Sequence, residues 1–386
     1  MKKIIIVGCG LCGGVIAREC AEAGFNVTII EKRNHIAGNL FDYKDEYGIL
    51  VHKYGPHTFH TNKKDIFEYV KKFSDWEEYH LTCGAVINGT CTPTPFNFKT
   101  IDDFFNVRDA KNIKAHLLDN YPNQNSATVL ELLKHNDPVI RDYASFLFKN
   151  DYSLYTAKQW GIPPEQVDPS ILKRVPIKFD YSVGYFDDKY QYMPKESFFD
   201  FFSNLIDHPN INIVLNTNAN NYIKIIDNTI YYRDCIINYP LVYTGAVDEL
   251  FNYSEGVLPY RSLKFEFIHE DIESKQQMPV VAYPQEPRYT RITEYTKLPI
   301  QKCKGTTYAI EYPLQYDSSN QNEPYYPLLT TESISNYQRY RQMSEKIPNL
   351  YLCGRLADYK YYNMDQAIEA SLRLSEIIKI HFKMDK

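Results

Sequence analysis

The stretch that decides the fold is Lys3–Gly24, with the sequence KIIIVGCGLCGGVIARECAEAG. Four of the protein's 16 glycines lie between Gly8 and Gly14. The apolar run Lys3–Val7 shows no polar alternation, which is typical of a strand buried on both faces of a parallel sheet. The segment VIARECAEAG that follows the glycines predicts a helix ending at Gly24.

Three of these glycines, Gly8, Gly10 and Gly13, complete the pattern G-x-G-x-x-G. The first permits a tight turn, the second lets the backbone approach a pyrophosphate, and the third allows close packing of helix on strand. A second apolar run, FNVTIIEKR, contains Glu31, 18 residues after Gly13, where an acid can bind ribose hydroxyls. The unit predicts a Rossmann-type dinucleotide-binding domain, the alternative being a glycine-rich turn without a ligand.

The two ends of the chain together favour FAD over NAD. After the second run, EKRNHIAGN places Gly38 and Asn39 in a loop near the ribose and pyrophosphate. At the far end, NLYLCGRLADYKYYNMDQAIEASLRLSEIIKI predicts a strand, a turn, a loop and an amphipathic helix. The N-terminus of such a late helix can stabilise negative charge on a reduced flavin.

The middle of the chain predicts two insertions into this cofactor domain. Helical patterns run from about residue 100 to 160, and alternating, proline-punctuated strands follow from about residue 175. We therefore expect an α/β, multidomain fold of α+β type, in which both chain ends build a Rossmann-like FAD domain. The expected parts are an FAD domain (1–76, 200–245 and 335–386), a helical domain (98–165) and an antiparallel sheet domain (77–97, 166–199 and 246–334).

Composition narrows the class of protein. Acidic and basic residues are well mixed along the 386 residues, and the net charge is −5. This distribution gives no reason to expect nucleic acid as a partner. No apolar run approaches the ~18 residues of a membrane span, so we expect no membrane insertion and a cytoplasmic location. The eight scattered cysteines predict reduced, buried thiols. A redox role for the Cys9–Cys12 pair is the less favoured alternative, and no metal site is expected.

Several longer motifs carry a more specific signal than the glycines. They lie in order along almost the whole chain: GPHTFHT, PTPFNFKTI, YTAKQWG, LKRVPIK, GYFDDKYQYMP, YRSL, YTRITEY and GRLADYKYYNMDQAI. In these motifs the chain resembles the UDP-galactopyranose mutase family. The resemblance implies interconversion of the pyranose and furanose forms of a nucleotide-activated hexose, through attack of reduced-flavin N5 on the anomeric carbon. UDP-galactopyranose is the expected substrate, and a homodimer is the candidate assembly.

The motifs and the resemblance together indicate the site residues. The candidate catalytic residues are His60, Arg174 and Arg291. The candidate cofactor-binding residues are Gly8, Gly10, Gly13, Glu31, Lys32, Gly38, Asn39, His57, Arg261, Arg355, Met364 and Asp365. The candidate substrate-binding residues are Tyr155, Trp160, Arg174, Tyr185, Arg291, Tyr312, Tyr361 and Asn363. Arginines suit this role because a guanidinium makes planar, multidentate contacts with phosphate.

Three positions depart from the family pattern. Asn363 replaces a carboxylate, Ala282 replaces an asparagine, and an asparagine usual near Leu81 is missing. A pocket with fewer polar partners would fit a sugar with fewer hydroxyls, so dTDP-fucopyranose is the alternative substrate. Two other classes stay open: an amine-oxidase-like FAD oxidoreductase, which shares the motifs at the two chain ends, and a non-catalytic nucleotide-binding protein.

Overall fold

A computed structural model describes residues 2–161, 175–317 and 322–383. Its central element is a five-stranded sheet in which every neighbouring pair of strands is parallel. Apolar, β-branched runs form these strands because both faces of the sheet are covered. In spatial order the strands are Ile211–Val214, Asn26–Ile30, Lys3–Val7, Leu241–Tyr243 and Leu350–Leu352.

Helices from distant parts of the chain cover one face of this sheet. The first helix, Leu11–Glu22, begins inside the glycine motif, four residues before the start that the sequence predicts. It packs against the C-terminal helix Met364–Lys383 and against Phe198–Ile206. Apolar side chains of all three helices share one core, so both chain ends support the same sheet.

A second, seven-stranded sheet lies beside the first. It is antiparallel except where Val280–Ala282 pairs in parallel with Cys83–Ile87. This confirms the antiparallel strands expected from the alternating segments after residue 260. In spatial order the strands are Tyr326–Pro327, Tyr260–Glu270, Thr306–Gln315, Arg291–Glu294, Val280–Ala282, Cys83–Ile87 and Thr90–Thr94.

The helical segment has its own core. The helical pattern that begins near residue 100 is divided early: the helix Phe98–Phe104 ends, and a new one begins after Asn106, whose side chain accepts a hydrogen bond from the amide of Asp109. Further on, a π-helical turn interrupts the helical pattern at Phe148–Tyr152. The helices of this part are Phe98–Phe104, Val107–Asn120, Val129–Leu133, Pro138–Leu147 and Ser153–Trp160.

Smaller elements connect these parts. A three-stranded sheet joins Phe59–Thr61, Tyr190–Pro194 and Trp76–Glu78. The remaining strands are Asp42–Lys44, Leu50–His52, Ser126–Ala127, Ile177–Lys178, Ile223–Ile226, Thr229–Tyr232 and Cys235–Ile236, and the remaining helices are Lys64–Val70, Val247–Leu250 and Thr331–Glu345. In the part of the chain that the structure describes, no helix combines the length and apolarity needed to cross a bilayer.

Candidate active site

The glycine motif forms a cradle at the end of the parallel sheet. Gly8 has a φ of +102°, and a Cβ there would lie 2.1 Å from the Thr244 hydroxyl oxygen. A Cβ on Gly13 would lie 2.0 Å from the carbonyl oxygen of Gly8, which explains the close packing of helix on strand. Gly38 has a φ of +56° and packs closely against Gly10. A Cβ added to Gly38 would come within 2.7 Å of the Gly10 Cα. The backbone is therefore open to a ligand where side chains would fill the space.

Glu31 lies at the carboxyl end of the second strand, in the wall of this cradle. Its side chain is buried, and its two oxygens accept hydrogen bonds from the amides of Cys9 (2.7 Å) and Arg33 (2.8 Å). These bonds fix the carboxylate beside the glycine turn, where Rossmann domains bind ribose hydroxyls. Lys32 points instead to Glu323, 3.0 Å away, at the rim.

A cavity of about 250 Å³ extends from the cradle toward the C-terminal helix. Its walls include most of the predicted cofactor-binding residues: Gly8, Gly10, Glu31, Lys32, Gly38, Asn39, His57, Arg355 and Met364. Gly13 supports the wall from behind, and Asp365 accepts a hydrogen bond from Thr61 at 3.0 Å rather than facing the cavity. The sequence analysis missed the segments 217–220 and 244–246, which also line it. The open glycine backbone and the buried acid fit a dinucleotide.

A second cavity, of about 360 Å³, opens from the first. The walls of both include His57, Arg355, Tyr362, Asn363 and Met364, so the two cavities adjoin. The predicted residues His60, Tyr155, Tyr185, Arg291 and Tyr361 also line the second cavity. Arg261, which the sequence analysis assigns to the cofactor, lines this second cavity and not the first. Of the other predicted residues, Tyr312 donates a hydrogen bond to Glu266 outside both cavities, whereas Arg174 and the side chain of Trp160 lie outside the described residues.

Three arginines give the second cavity a positive wall. The guanidinium of Arg261 lies 4.8 Å, and that of Arg355 4.3 Å, from the centre of the Tyr326 ring. Burial alone would raise the pKa of Tyr326, but the charges of Arg355, Arg291 and Arg261 outweigh it and lower that pKa. The three arginines line the same cavity, and their combined positive charge is the cause of the lowered pKa of Tyr326.

Glu311 holds Arg291 in position. Its Oε2 lies 2.8 Å from Nε and 2.6 Å from Nη2 of Arg291, and its Oε1 accepts a hydrogen bond from the Thr290 hydroxyl. Burial opposes the charge on Arg291, yet Glu311 keeps the pKa of the guanidinium above its ordinary value. Within residues 2–161, 175–317 and 322–383, no group bonds to Nη1, which leaves this nitrogen for an anion.

Two histidines, His57 and His60, line the second cavity, and His60 belongs to the strand Phe59–Thr61 of the small three-stranded sheet. Burial and then the charge of Arg355 lower the pKa of His57 to about 4, so its imidazole is neutral at pH 7. Its Nδ1 lies 2.9 Å from the carbonyl oxygen of Gly55 and must carry the proton to make that bond. His60 stacks on Phe186, and its Nδ1 lies 2.8 Å from Oδ2 of Asp188. Both rings therefore have fixed orientations.

The fold and the paired cavities define a class: proteins with a Rossmann-like dinucleotide domain whose cavity adjoins a second cavity lined by arginines. A model of an NAD(P)-binding Rossmann-like domain matches residues 6–73, and a model of UDP-galactopyranose mutase matches residues 150–361. UDP-galactopyranose mutase of Mycoplasma pneumoniae is 34% identical over 96% of this chain and 95% of its own length. The chain belongs to the UDP-galactopyranose mutase family.

Further relatives agree with this assignment. A dTDP-fucopyranose mutase of Escherichia coli is 31% identical over 98% of each chain. A crystal structure of reduced UDP-galactopyranose mutase has the same fold, with a TM-score of 0.72 at 14% identity, over 100% of this chain and 94% of that one. These findings confirm the family resemblance, the α/β fold with its Rossmann-like domain, and the assignment to isomerases of the mutase type.

Proposed function

We propose that the protein binds FAD and, with the flavin reduced, interconverts the pyranose and furanose forms of UDP-galactose. The observation that carries this proposal is the junction of the two cavities, where His57, Arg355, Tyr362, Asn363 and Met364 belong to both walls. A cofactor in the first cavity would present its reactive end to a sugar in the second at this junction. A cytoplasmic location is part of the same proposal.

The first cavity offers a partner for each part of FAD. Glu31 is placed to accept hydrogen bonds from a ribose, and the glycine turn with the N-terminus of the helix Leu11–Glu22 would hold the pyrophosphate. His57, Arg355 and Met364 would surround the flavin ring. A bound reduced flavin supplies the nucleophile for the anomeric carbon, since no side chain at the junction is an obvious one.

The arginines would act on the diphosphate. Arg291, held in place by Glu311, and its neighbour Arg261 would bind the two phosphates and stabilise the charge that develops as the nucleotide leaves. Because the nucleotide stays clamped, it can recombine with the sugar after ring contraction. The neutral His57 adds no charge that would compete for the phosphates.

The proposal also names the sugar of the substrate. UDP-galactopyranose is the main candidate, and dTDP-fucopyranose is the second because relatives named for each are about equally similar. The second candidate gains support from Leu81, Ala282 and Asn363, the three positions that the sequence analysis singles out as departures from the family pattern, because all three line the second cavity. Restoring them with Ala282→Asn and Asn363→Asp should shift the ratio of kcat/KM toward UDP-galactose by a few-fold to about 30-fold.

The decisive assay uses dithionite-reduced holoenzyme without oxygen, with chromatography of UDP- and dTDP-hexoses before and after incubation. We expect pyranose and furanose forms to interconvert with no consumption of electrons. Arg291→Ala should lower the rate by about 10- to 100-fold with flavin still bound, and exposed Arg288→Ala serves as the matched control. Oxygen consumption with an amine, and no mutase activity, would favour the amine-oxidase-like alternative.

A further inference from the structure

His60 stands in the wall of the second cavity with one ring nitrogen held by the protein. Its imidazole stacks on Phe186, with 3.6 Å between the ring centres and 15° between the planes. Nδ1 lies 2.8 Å from Oδ2 of Asp188. Within residues 2–161, 175–317 and 322–383, no group bonds to Nε2. Since Nδ1 is occupied, Nε2 is the nitrogen that remains for a ligand in this cavity.

A short chain of hydrogen bonds fixes the acid that holds this ring. The backbone amide of Lys189 donates to Oδ1 of Asn62 at 2.9 Å, which turns Nδ2 of Asn62 toward Asp188. This Nδ2 donates to Oδ1 of Asp188 at 2.8 Å, and Oδ2 of the same carboxylate is left for His60. Each bond determines the direction of the next, because an N–H group only donates and a carboxylate only accepts.

The small three-stranded sheet brings His60 and its partners together, although His60 and Asp188 are 128 residues apart in the chain. His60 and Gln191 lie opposite each other on paired antiparallel strands of this sheet. The side-chain amide of Gln191 donates to the carbonyl oxygens of Phe186 (3.2 Å) and Asp188 (2.9 Å). The two residues that touch the ring are therefore fixed to the strand that faces it.

The contact with Asp188 determines where a neutral His60 carries its proton. Because the carboxylate only accepts, the proton of the neutral ring lies on Nδ1, and Nε2 bears the lone pair. An unprotonated ring nitrogen beside a substrate cavity can take a proton, and the resulting imidazolium can give one back. An acid that fixes the tautomer of a catalytic histidine has the same role in Ser-His-Asp triads.

The ring contraction of the proposed function, on which this step rests, requires one proton to change its oxygen. The C1–O5 bond of the pyranose breaks and O5 becomes a hydroxyl, whereas the 4-hydroxyl loses its proton and its oxygen forms the C1–O4 bond. We infer that His60 carries this proton through Nε2, taking one from the 4-hydroxyl and giving one to O5, and that Asp188 positions the ring for it. The two transfers balance, so His60 ends in the protonation state in which it began.

The first measurement locates the proton on His60 without turnover. In oxidised, FAD-loaded enzyme with 15N-labelled histidine rings, NMR shifts at pH 8 distinguish protonated from unprotonated nitrogens, and His60→Gln assigns the signals. We expect the proton on Nδ1 in the wild type. Asp188→Asn should move it to Nε2, because Asn62 holds the oxygen of the new side chain and leaves its NH2 group to donate to Nδ1.

The second measurement is turnover of UDP-galactopyranose by the dithionite-reduced enzyme. Asp188→Asn should lower kcat by about 100-fold and change KM by less than about 3-fold, because the base is lost while the cavity keeps its shape. The matched control is Glu78→Gln, which changes the acid of the exposed pair His80–Glu78 and should keep the wild-type kcat.

A second substitution distinguishes positioning from a merely structural role. When Asn62→Asp is added to Asp188→Asn, the new carboxylate accepts from the Lys189 amide and from the new NH2 group. The amide oxygen then faces His60, which should return the proton to Nδ1 and restore kcat by about 10-fold or more. A loss of activity through misfolding would not be recovered in this way.

The outcomes separate this inference from the proposed function. A wild-type ring with its proton on Nε2, or an Asp188→Asn ring that keeps it on Nδ1, would show that Asp188 does not set the tautomer. A reversed tautomer with kcat within about 3-fold of the wild type would show that His60 moves no proton. Each of these results overturns the inference, while wild-type turnover of UDP-galactose still supports the proposed function. If the wild type interconverts neither UDP-galactose nor dTDP-fucose, the proposed function fails and this inference fails with it.

Discussion

Replacing Asp151 by asparagine should stabilise the nucleotide-free protein, and more so at high pH. The pKa of this carboxyl rises from an ordinary 3.8 to about 7 on folding because burial disfavours its charge. At ~1.4 kcal/mol per pH unit, that difference corresponds to roughly 4 kcal/mol of lost stability once the group is ionised in both states. Asparagine keeps the shape of the side chain and never acquires the charge.

The sign of the pH dependence follows from proton counts. Between the ordinary pKa of 3.8 and the folded pKa of about 7, the folded state holds a proton on Asp151 that the unfolded chain has released. Stability therefore falls as pH rises through this window and levels off above it. The advantage of Asp151→Asn over the wild type should grow by roughly 3 kcal/mol between pH 5 and pH 8.

Urea unfolding of nucleotide-free holoenzyme at both pH values, followed by circular dichroism, measures this difference. Other buried acids such as Asp42 and Asp248, whose pKa values burial raises to about 6, are present in both proteins and cancel. Asp142→Asn, at an exposed position, should show no pH-dependent advantage. An Asp151→Asn advantage that is equal at pH 5 and pH 8, or a loss of stability at pH 8, would refute the reasoning.

Three further predictions concern the cofactor, the ion pair between Arg291 and Glu311, and the helical segment. Gly38→Ala should yield colourless protein, because its Cβ would come within 2.7 Å of Gly10 at a positive φ; flavin absorbance of the purified protein measures this. Glu311→Gln should lower kcat by about 10-fold while flavin stays bound, because Arg291 loses its anionic partner; flavin absorbance and the anaerobic mutase assay together test it, and unchanged kcat would contradict it. Lys158→Met should lower the free energy of unfolding by about 3 kcal/mol, because three carbonyl oxygens lose their donor; urea unfolding measures the loss, and a value near zero would show that water replaces the ammonium.

Much of the cofactor half of the site is local in sequence. The first strand, its glycine turn and the acid after the second strand lie within about 30 residues, and each follows from backbone sterics or from burial on a parallel sheet. The structure brings Gly8, Gly10, Glu31 and Gly38 to one cavity as the spacing predicts. The strand Leu241–Tyr243, which completes the sheet beside Lys3–Val7, is too short to stand out by pattern.

The substrate half depends on contacts that no local pattern contains. Tyr312 and Glu311 are neighbours on one strand, so they point to opposite faces of the sheet. Glu311 meets Arg291 because their strands pair in register, whereas Tyr312 faces Glu266 away from the cavities. The register between strands is set by the packing of the whole sheet, and a single sequence does not reveal it.

The sequence by itself determined the family and the dinucleotide fold, because these depend on spacing and on residue type, and it indicated Arg291 for the second cavity. Tertiary structure alone decided which polar groups are paired and which are left for a ligand. Asp151 is one acid among many in the sequence, and only the folded chain shows that it is buried on a π-helical turn. Burial changes the free energy of a charge by several kcal/mol, and burial is a property of the folded chain.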